Sequence, residues 1–222
     1  MKILIPILVV AVAIAVVLLI KVLFSRRPVS PSAAGSRTTL EQKLEVLAGC
    51  GFRLAEPFTC DDLLKSWGRA DYEKPGYDWT LVGLGMTEEQ EPWRNHCVNL
   101  WHFDTECIED HGDYKKIAAR MAEMAQGSLP IENTRDYVDV EKKEAWFSFS
   151  LRGNDIKIPC KVRDDWVDTA ISARFVELLA QSDSAKTYVY YDLGGQDCLI
   201  GCVTKEQLKS LNRQGIKFVP LT

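Results

Sequence analysis

The densest group of residues able to do chemistry runs Trp101-His102-Phe103-Asp104-Thr105-Glu106-Cys107-Ile108-Glu109-Asp110-His111-Gly112-Asp113-Tyr114, and two of the chain's three histidines fall within it. If residues 100–106 are extended, His102, Asp104 and Glu106 share one face at period two and offer one imidazole and two carboxylates to a divalent metal. His111 or Asp113 would complete a hard-donor set, and a metal held by His102, Asp104, Glu106 and His111 would activate water for hydrolysis. The spacing has neither the H-E-x-x-H pair of a metal-binding helix nor the paired C-x-x-C of zinc sites. A plainer reading fits the same residues: Trp101, Phe103 and Ile108 anchor the segment in the core, Asp110 or Asp113 caps the next helix, and the other charges are solvated. The spacing favours the plainer reading and leaves the metal-dependent hydrolase as the alternative.

A thiol nucleophile is a second chemistry to weigh. Cys107 lies near His102 and His111 in the chain, and Cys60 and Cys198 each adjoin an aspartate. A cysteine without an electropositive setting behaves as a small buried hydrophobe, so thiol catalysis is disfavoured. Gly194-Gly195-Gln196-Asp197 joins two extended segments instead of opening a helix, so it reads as a hairpin turn and not a phosphate loop. No G-x-S-x-G motif occurs. The sequence therefore assigns no catalytic residue and no cofactor, and favours binding over catalysis. Six tryptophans are many for 222 residues, and those left exposed would mark a partner surface.

The elements that must position these residues follow from capping and periodicity. Thr39-Leu-Glu-Gln42 has capping-box spacing and opens a helix with Leu40, Leu44 and Leu47 on one side. Thr59 to Asp62 repeats the pattern ahead of Leu63, Leu64 and Trp67. Residues 112–126 form a third helix through Ile117, Met121 and Met124. The period then changes: Ala145, Phe147, Phe149 and Leu151 alternate with polar neighbours, as do Ile156, Ile158, Cys160 and Val162, around the turn Arg152-Gly-Asn-Asp155. Pro159 places the second of these strands at an edge. Asp168 caps a helix over Ile171 to Leu179. Residues 187–191 and 198–203 make another hairpin, Thr204 to Gln207 caps a last helix, and Ile216 to Val219 is a final strand. The fold class is α+β, with helices packed on a largely antiparallel sheet in a ββαββαβ C-terminal half. Residues 38–130 are its mostly helical part and residues 138–222 its sheet part.

Charge and hydropathy divide the chain further. The totals are 27 Lys+Arg and 31 Asp+Glu, but residues 1–37 hold five bases and no acid, which leaves 22 bases against 31 acids in residues 38–222. A nucleic-acid-binding body is excluded on this balance, because phosphate neutralisation needs a basic surface. Ile3 to Ile20 is an unbroken apolar run that Val22, Leu23 and Phe24 extend. About twenty such residues span a hydrocarbon core of roughly 30 Å. The reading is a transmembrane anchor over residues 1–25, in contact with the lipid bilayer through residues 3–24, then a Pro/Ser-rich linker over 26–37 and an acidic globular domain over 38–222. The run is longer than a signal-peptide core, and Ser32-Ala33-Ala34 lies far beyond it, so the anchor stays attached. Lys21, Arg26, Arg27 and Arg37 outnumber Lys2 and the terminal amine, which puts the domain in the cytoplasm. Seven scattered cysteines agree with a reducing side.

The run Trp101 to Tyr114, with Asp165-Trp166-Val167-Asp168 and Gly195-Gln196-Asp197-Cys198-Leu199-Ile200-Gly201, resembles a family of uncharacterised bacterial proteins. The likeness covers about residues 40–220 and leaves out the apolar leader. It implies a bacterial source and one intact domain, and it carries over no activity and no site residue. The expectation is a single-pass protein of the bacterial inner membrane whose acidic domain binds a protein partner, in an immunity-like or regulatory role.

Overall fold

In the computed structural model, which describes residues 38–88 and 91–222, the fold opens on the reciprocal capping box read from the sequence. The Gln42 N–H donates to the Thr39 hydroxyl at 3.3 Å, and the Thr39 N–H donates to Gln42 Oε1 at 2.9 Å, starting α1, Leu40–Gly49. At α2, Cys60–Leu63, the Asp62 carboxylate accepts both the Thr59 N–H and the Thr59 hydroxyl, at 2.8 and 2.9 Å. Two helices follow that the sequence did not announce, α3, Arg69–Tyr72, and α4, Asp78–Gly85. Neither is long enough to set up a helical period. Buried Lys43 ties the segment after α3 to α1: its ammonium donates to the carbonyls of Tyr72, Lys74 and Gly76 at 2.7, 2.5 and 2.6 Å. All three of its donors are thereby used.

The remaining elements are β1, Leu100–Asp104; α5, Asp113–Met124; β2, Ile131–Asp139; β3, Glu144–Leu151; β4, Asn154–Cys160; α6, Ala170–Ser182; β5, Lys186–Asp192; β6, Asp197–Thr204; α7, Lys205–Arg213; and β7, Val219–Pro220. The strands form two antiparallel sheets, one of four strands in the order β1-β6-β5-β7 and one of three in the order β2-β3-β4. The α+β class holds, and β4 with Pro159 is an edge strand. The expected ββαββαβ order is corrected to βββαββαβ, because β2 precedes the hairpin. A bulge between Glu132 and Arg135, with Asn133 at φ +53°, breaks the alternation that would have revealed this strand. The part read as mostly helical also supplies β1, an edge of the four-stranded sheet.

The four-stranded sheet is covered on both faces. Leu199 and Val203 of β6 pack with Leu47 of α1, Leu81 and Leu84 of α4 and Leu211 of α7. Cys198, Ile200 and Cys202, at the alternate positions of the strand, join a second cluster with Ile117 and Met121 of α5, Phe175 of α6 and Phe147 and Phe149 of β3. Burial on both sides explains why β6 reads as a continuous apolar run. Gly201 is required where it stands, since a Cβ there would lie 2.8 Å from Phe52 Cζ. Gly85 likewise lets α4 approach β1, where a Cβ would come within 2.6 Å of the His102 nitrogen.

The anchor and linker expected over residues 1–37 lie outside the described residues. Among the described residues no helix is long and apolar enough to cross a membrane.

Candidate functional site

The three segments quoted for the resemblance adjoin one another. β1 runs antiparallel to β6, with His102 opposite Leu199 and Asp104 opposite Asp197. Past the end of β1, the Thr105 N–H and hydroxyl both donate to the Gln196 carbonyl, at 3.2 and 2.7 Å. On its other side the same stretch meets residues 163–167: Glu106 and Trp166 form an antiparallel bridge, Val167 N–H donates to the Thr105 carbonyl at 2.9 Å, and Ile108 N–H to the Asp165 carbonyl at 2.8 Å. Residues 104–108 are thus held between the β5–β6 turn and the Asp165-Trp166 loop.

A buried arginine sets the start of β1. The Arg120 guanidinium, from α5, donates to the carbonyls of Val98, Cys97 and Leu100 at 2.9, 2.8 and 2.6 Å, and pairs with Glu123 at 2.7 Å. α5 itself is capped from β2, where the Asp136 carboxylate accepts the Gly112 and Lys115 N–H groups. Asp113 works one turn earlier: its carboxylate accepts the Glu109 and Asp110 N–H groups and the Lys116 ammonium. Burial pushes the Asp113 carboxyl up, but these donors outweigh it and leave it below the usual carboxylate range.

The four residues of the metal reading divide among different partners. His102 Nε2 lies 3.8 Å from Asp197. Asp104 accepts the Glu106 N–H at 2.9 Å and the Gln196 amide at 3.1 Å. Glu106 is held through its backbone bridge to Trp166. His111 pairs with Asp110 at 2.8 Å and packs edge-on to Tyr137, 5.0 Å between ring centroids. His102 and Asp104 both lie on β1, opposite Leu199 and Asp197 of β6. Among the described residues, no three His, Cys, Asp or Glu side chains are grouped as a metal site.

Cys107 lines a cavity of about 280 Å³ with Trp101, Phe103, Asp104, Asp113, Lys116 and Ile117. Burial, reinforced by the charges of Asp104, Asp113 and Asp165, pushes its thiol up to about 12, so the group stays neutral and is a poor nucleophile near pH 7. Cys198 is likewise held at about 12, first by burial and then by Asp197, and burial raises Cys60 as well.

What the arrangement does present is an aromatic ring among acids. Trp166 is 43% exposed, preceded in the chain by Asp164 and Asp165 and bridged to Glu106 and Arg163, with Asp104, Glu109 and Asp110 on the adjoining stretch. The cavity that Cys107 lines, next to Glu106 in the chain, has an aromatic wall, Trp101 and Phe103 at 4.3 Å between centroids, with two acids, Asp104 and Asp113, and one base, Lys116, in its lining. The chemistry suits a cationic side chain with an apolar stem. The sequence reading did not single out Gln196 and Asp165 as neighbours of Asp104 and Glu106, and the only signal for it was that all three segments drew notice separately. Comparison with protein-family models, curated proteins and solved structures finds no match for the chain.

Proposed function

We propose that this is a single-pass bacterial inner-membrane protein, anchored through residues 3–24, whose acidic α+β domain acts on the cytoplasmic side by binding a basic protein partner. An immunity-like or regulatory role is the specific form of this reading. The observation that carries it is the exposed Trp166, bridged to Glu106 and preceded by Asp164 and Asp165, together with the Trp101/Phe103 cavity that Asp104 and Asp113 line. A partner lysine or arginine would lay its stem on those rings and bring its charge to Asp104, while the surrounding acids steer the encounter.

Cross-linking and pull-down of the full chain from its membrane tests the proposal. The expected result is a stoichiometric basic partner, lost in the Trp166→Ala/Asp104→Asn/Glu106→Gln variant and weakened by added salt. Repeated recovery of no partner would refute it.

A further inference from the structure

We infer that the cavity between the ends of α1 and α5 and the β6–α7 junction is a binding site for a small organic anion, one acidic head group on a compact apolar body. The cavity holds about 340 Å³ and lies among residues 51–55, 98–99 and 124–126, the start of β5, and residues 202–207. Its frame is tied together by a buried side chain. The Asn99 amide, 8% exposed, donates to the carbonyls of Gly51 and Cys202 at 3.1 and 3.0 Å, and the Cys202 N–H donates back to the Asn99 carbonyl at 2.9 Å. Three stretches of the wall that are distant in sequence are thereby held in one position.

The donors in the lining select an anion. Two cations stand there, Arg53 and Lys186, and no carboxylate does, in a domain whose acids outnumber its bases. Arg53 Nε donates to the Ala48 carbonyl at 3.2 Å, and the two terminal nitrogens of the guanidinium have no partner among the described residues. They form the fork that grips a carboxylate or phosphate through parallel N–H groups. The Lys186 ammonium donates to the Ala125 carbonyl at 2.8 Å and the Ser128 hydroxyl at 3.1 Å, which leaves one of its three donors for a ligand. Asp183 stands 3.9 Å from that ammonium, but its oxygens accept the Ser128 hydroxyl and the Ala185 N–H. Glu56, Glu123 and Glu206 neighbour lining residues in the chain without lining the cavity, and Glu123 is paired with Arg120. Gln207 adds a neutral donor: its Oε1 accepts the Thr204 N–H at 2.8 Å, so its NH2 group is the free end of the amide. That group sits where a Cβ on Gly51 would lie, 2.4 Å from it, so glycine at 51 admits it. The remaining wall includes Leu54, Val98 and Met124, which a bare ion would leave uncovered. A carboxylate and a phosphate monoester share the chemistry that these donors recognise.

The test is calorimetric titration of the full chain in nonionic detergent with benzoate, phenyl phosphate, inorganic phosphate and benzamide, the last having the ring without the charge. Benzoate or phenyl phosphate should bind saturably at about one equivalent, and at least about tenfold more tightly than benzamide or inorganic phosphate. The tighter of the two identifies the head group. Arg53→Gln, at an exposed position where folding is not at stake, should weaken that binding at least about tenfold. Val98→Phe keeps every charge and narrows the cavity, so it should weaken binding by a similar factor, with a urea midpoint close to wild type showing that the variant folds. Failure of both organic anions to saturate by about 10 mM, or an unchanged affinity in either folded variant, would overturn the proposal. Benzamide bound as tightly as benzoate would overturn the anionic head group, and inorganic phosphate bound as tightly as phenyl phosphate would overturn the apolar body.

Discussion

Replacing Arg120 by methionine removes the group that positions β1 and, with it, the surface around Asp104. The wild-type guanidinium serves three carbonyls, and two of those bonds, to Cys97 and Leu100, are buried. Leaving two buried carbonyls without donors costs about 1–3 kcal/mol each. Some of that is returned, because burial already holds the Arg120 pKa below its ordinary value and its Nε has no partner, so removing the charge also removes a desolvation cost. Methionine fills much of the same volume, so a cavity adds little. The net expectation is a loss of about 2–4 kcal/mol, which for a domain of this size lowers the Tm by about 5–15 °C. Arg120→Lys, able to reach one or two of the carbonyls, should lose about half as much. Urea unfolding of the full chain in detergent, followed by tryptophan emission, measures both. A methionine variant within about 0.5 kcal/mol of wild type would show that the β1 register does not depend on this clamp.

Two further expectations concern titration and metal. The thiols of Cys107, Cys160, Cys198 and Cys202 are raised by burial to about 12 from an ordinary 9.0, so the folded state keeps protons that the unfolded chain loses. Their contribution to stability is intact below pH 9 and falls as pH rises toward 12, by about 1.4 kcal/mol per pH unit for each thiol. The urea midpoint should therefore drop between pH 8 and pH 10, and an unchanged midpoint would contradict the burial argument. Elemental analysis of the purified full chain should find less than about a tenth of an equivalent of divalent metal. A full equivalent, lost in His102→Ala/Asp104→Ala, would restore the hydrolase reading.

The parts of the fold that were legible in the sequence are those where local chemistry and tertiary environment agree. The capping boxes at Thr39 and Thr204 open helices where their spacing places them. The alternation through Phe147 and Phe149 matches a strand with one buried face. β2 was hidden because its bulge shifts the phase between Glu132 and Arg135. α3 and α4 were hidden because each is too short to set up a period, and Lys43, distant in sequence, holds the end of α3 and the segment after it. The final strand read over Ile216 to Val219 shrinks to Val219–Pro220, since Ile216 and Phe218 turn into the core instead. At the site, the extended stretch expected around His102 and Asp104 is β1. The partners that divide them, Asp197, Gln196 and the Trp166 loop, come from elsewhere in the chain, and only the folded arrangement brings them together.

The most direct test of partner binding places a photo-reactive residue at position 166 in the full chain, in cells, with the same probe at position 219 as a reference. Position 219 is also exposed but lies on β7, outside the acidic site. Illumination should give one dominant adduct with a basic protein from position 166 and none from position 219, and Asp104→Asn/Glu106→Gln should reduce the yield several-fold. Equal labelling from both positions, or no adduct from position 166, would contradict a binding role for this surface.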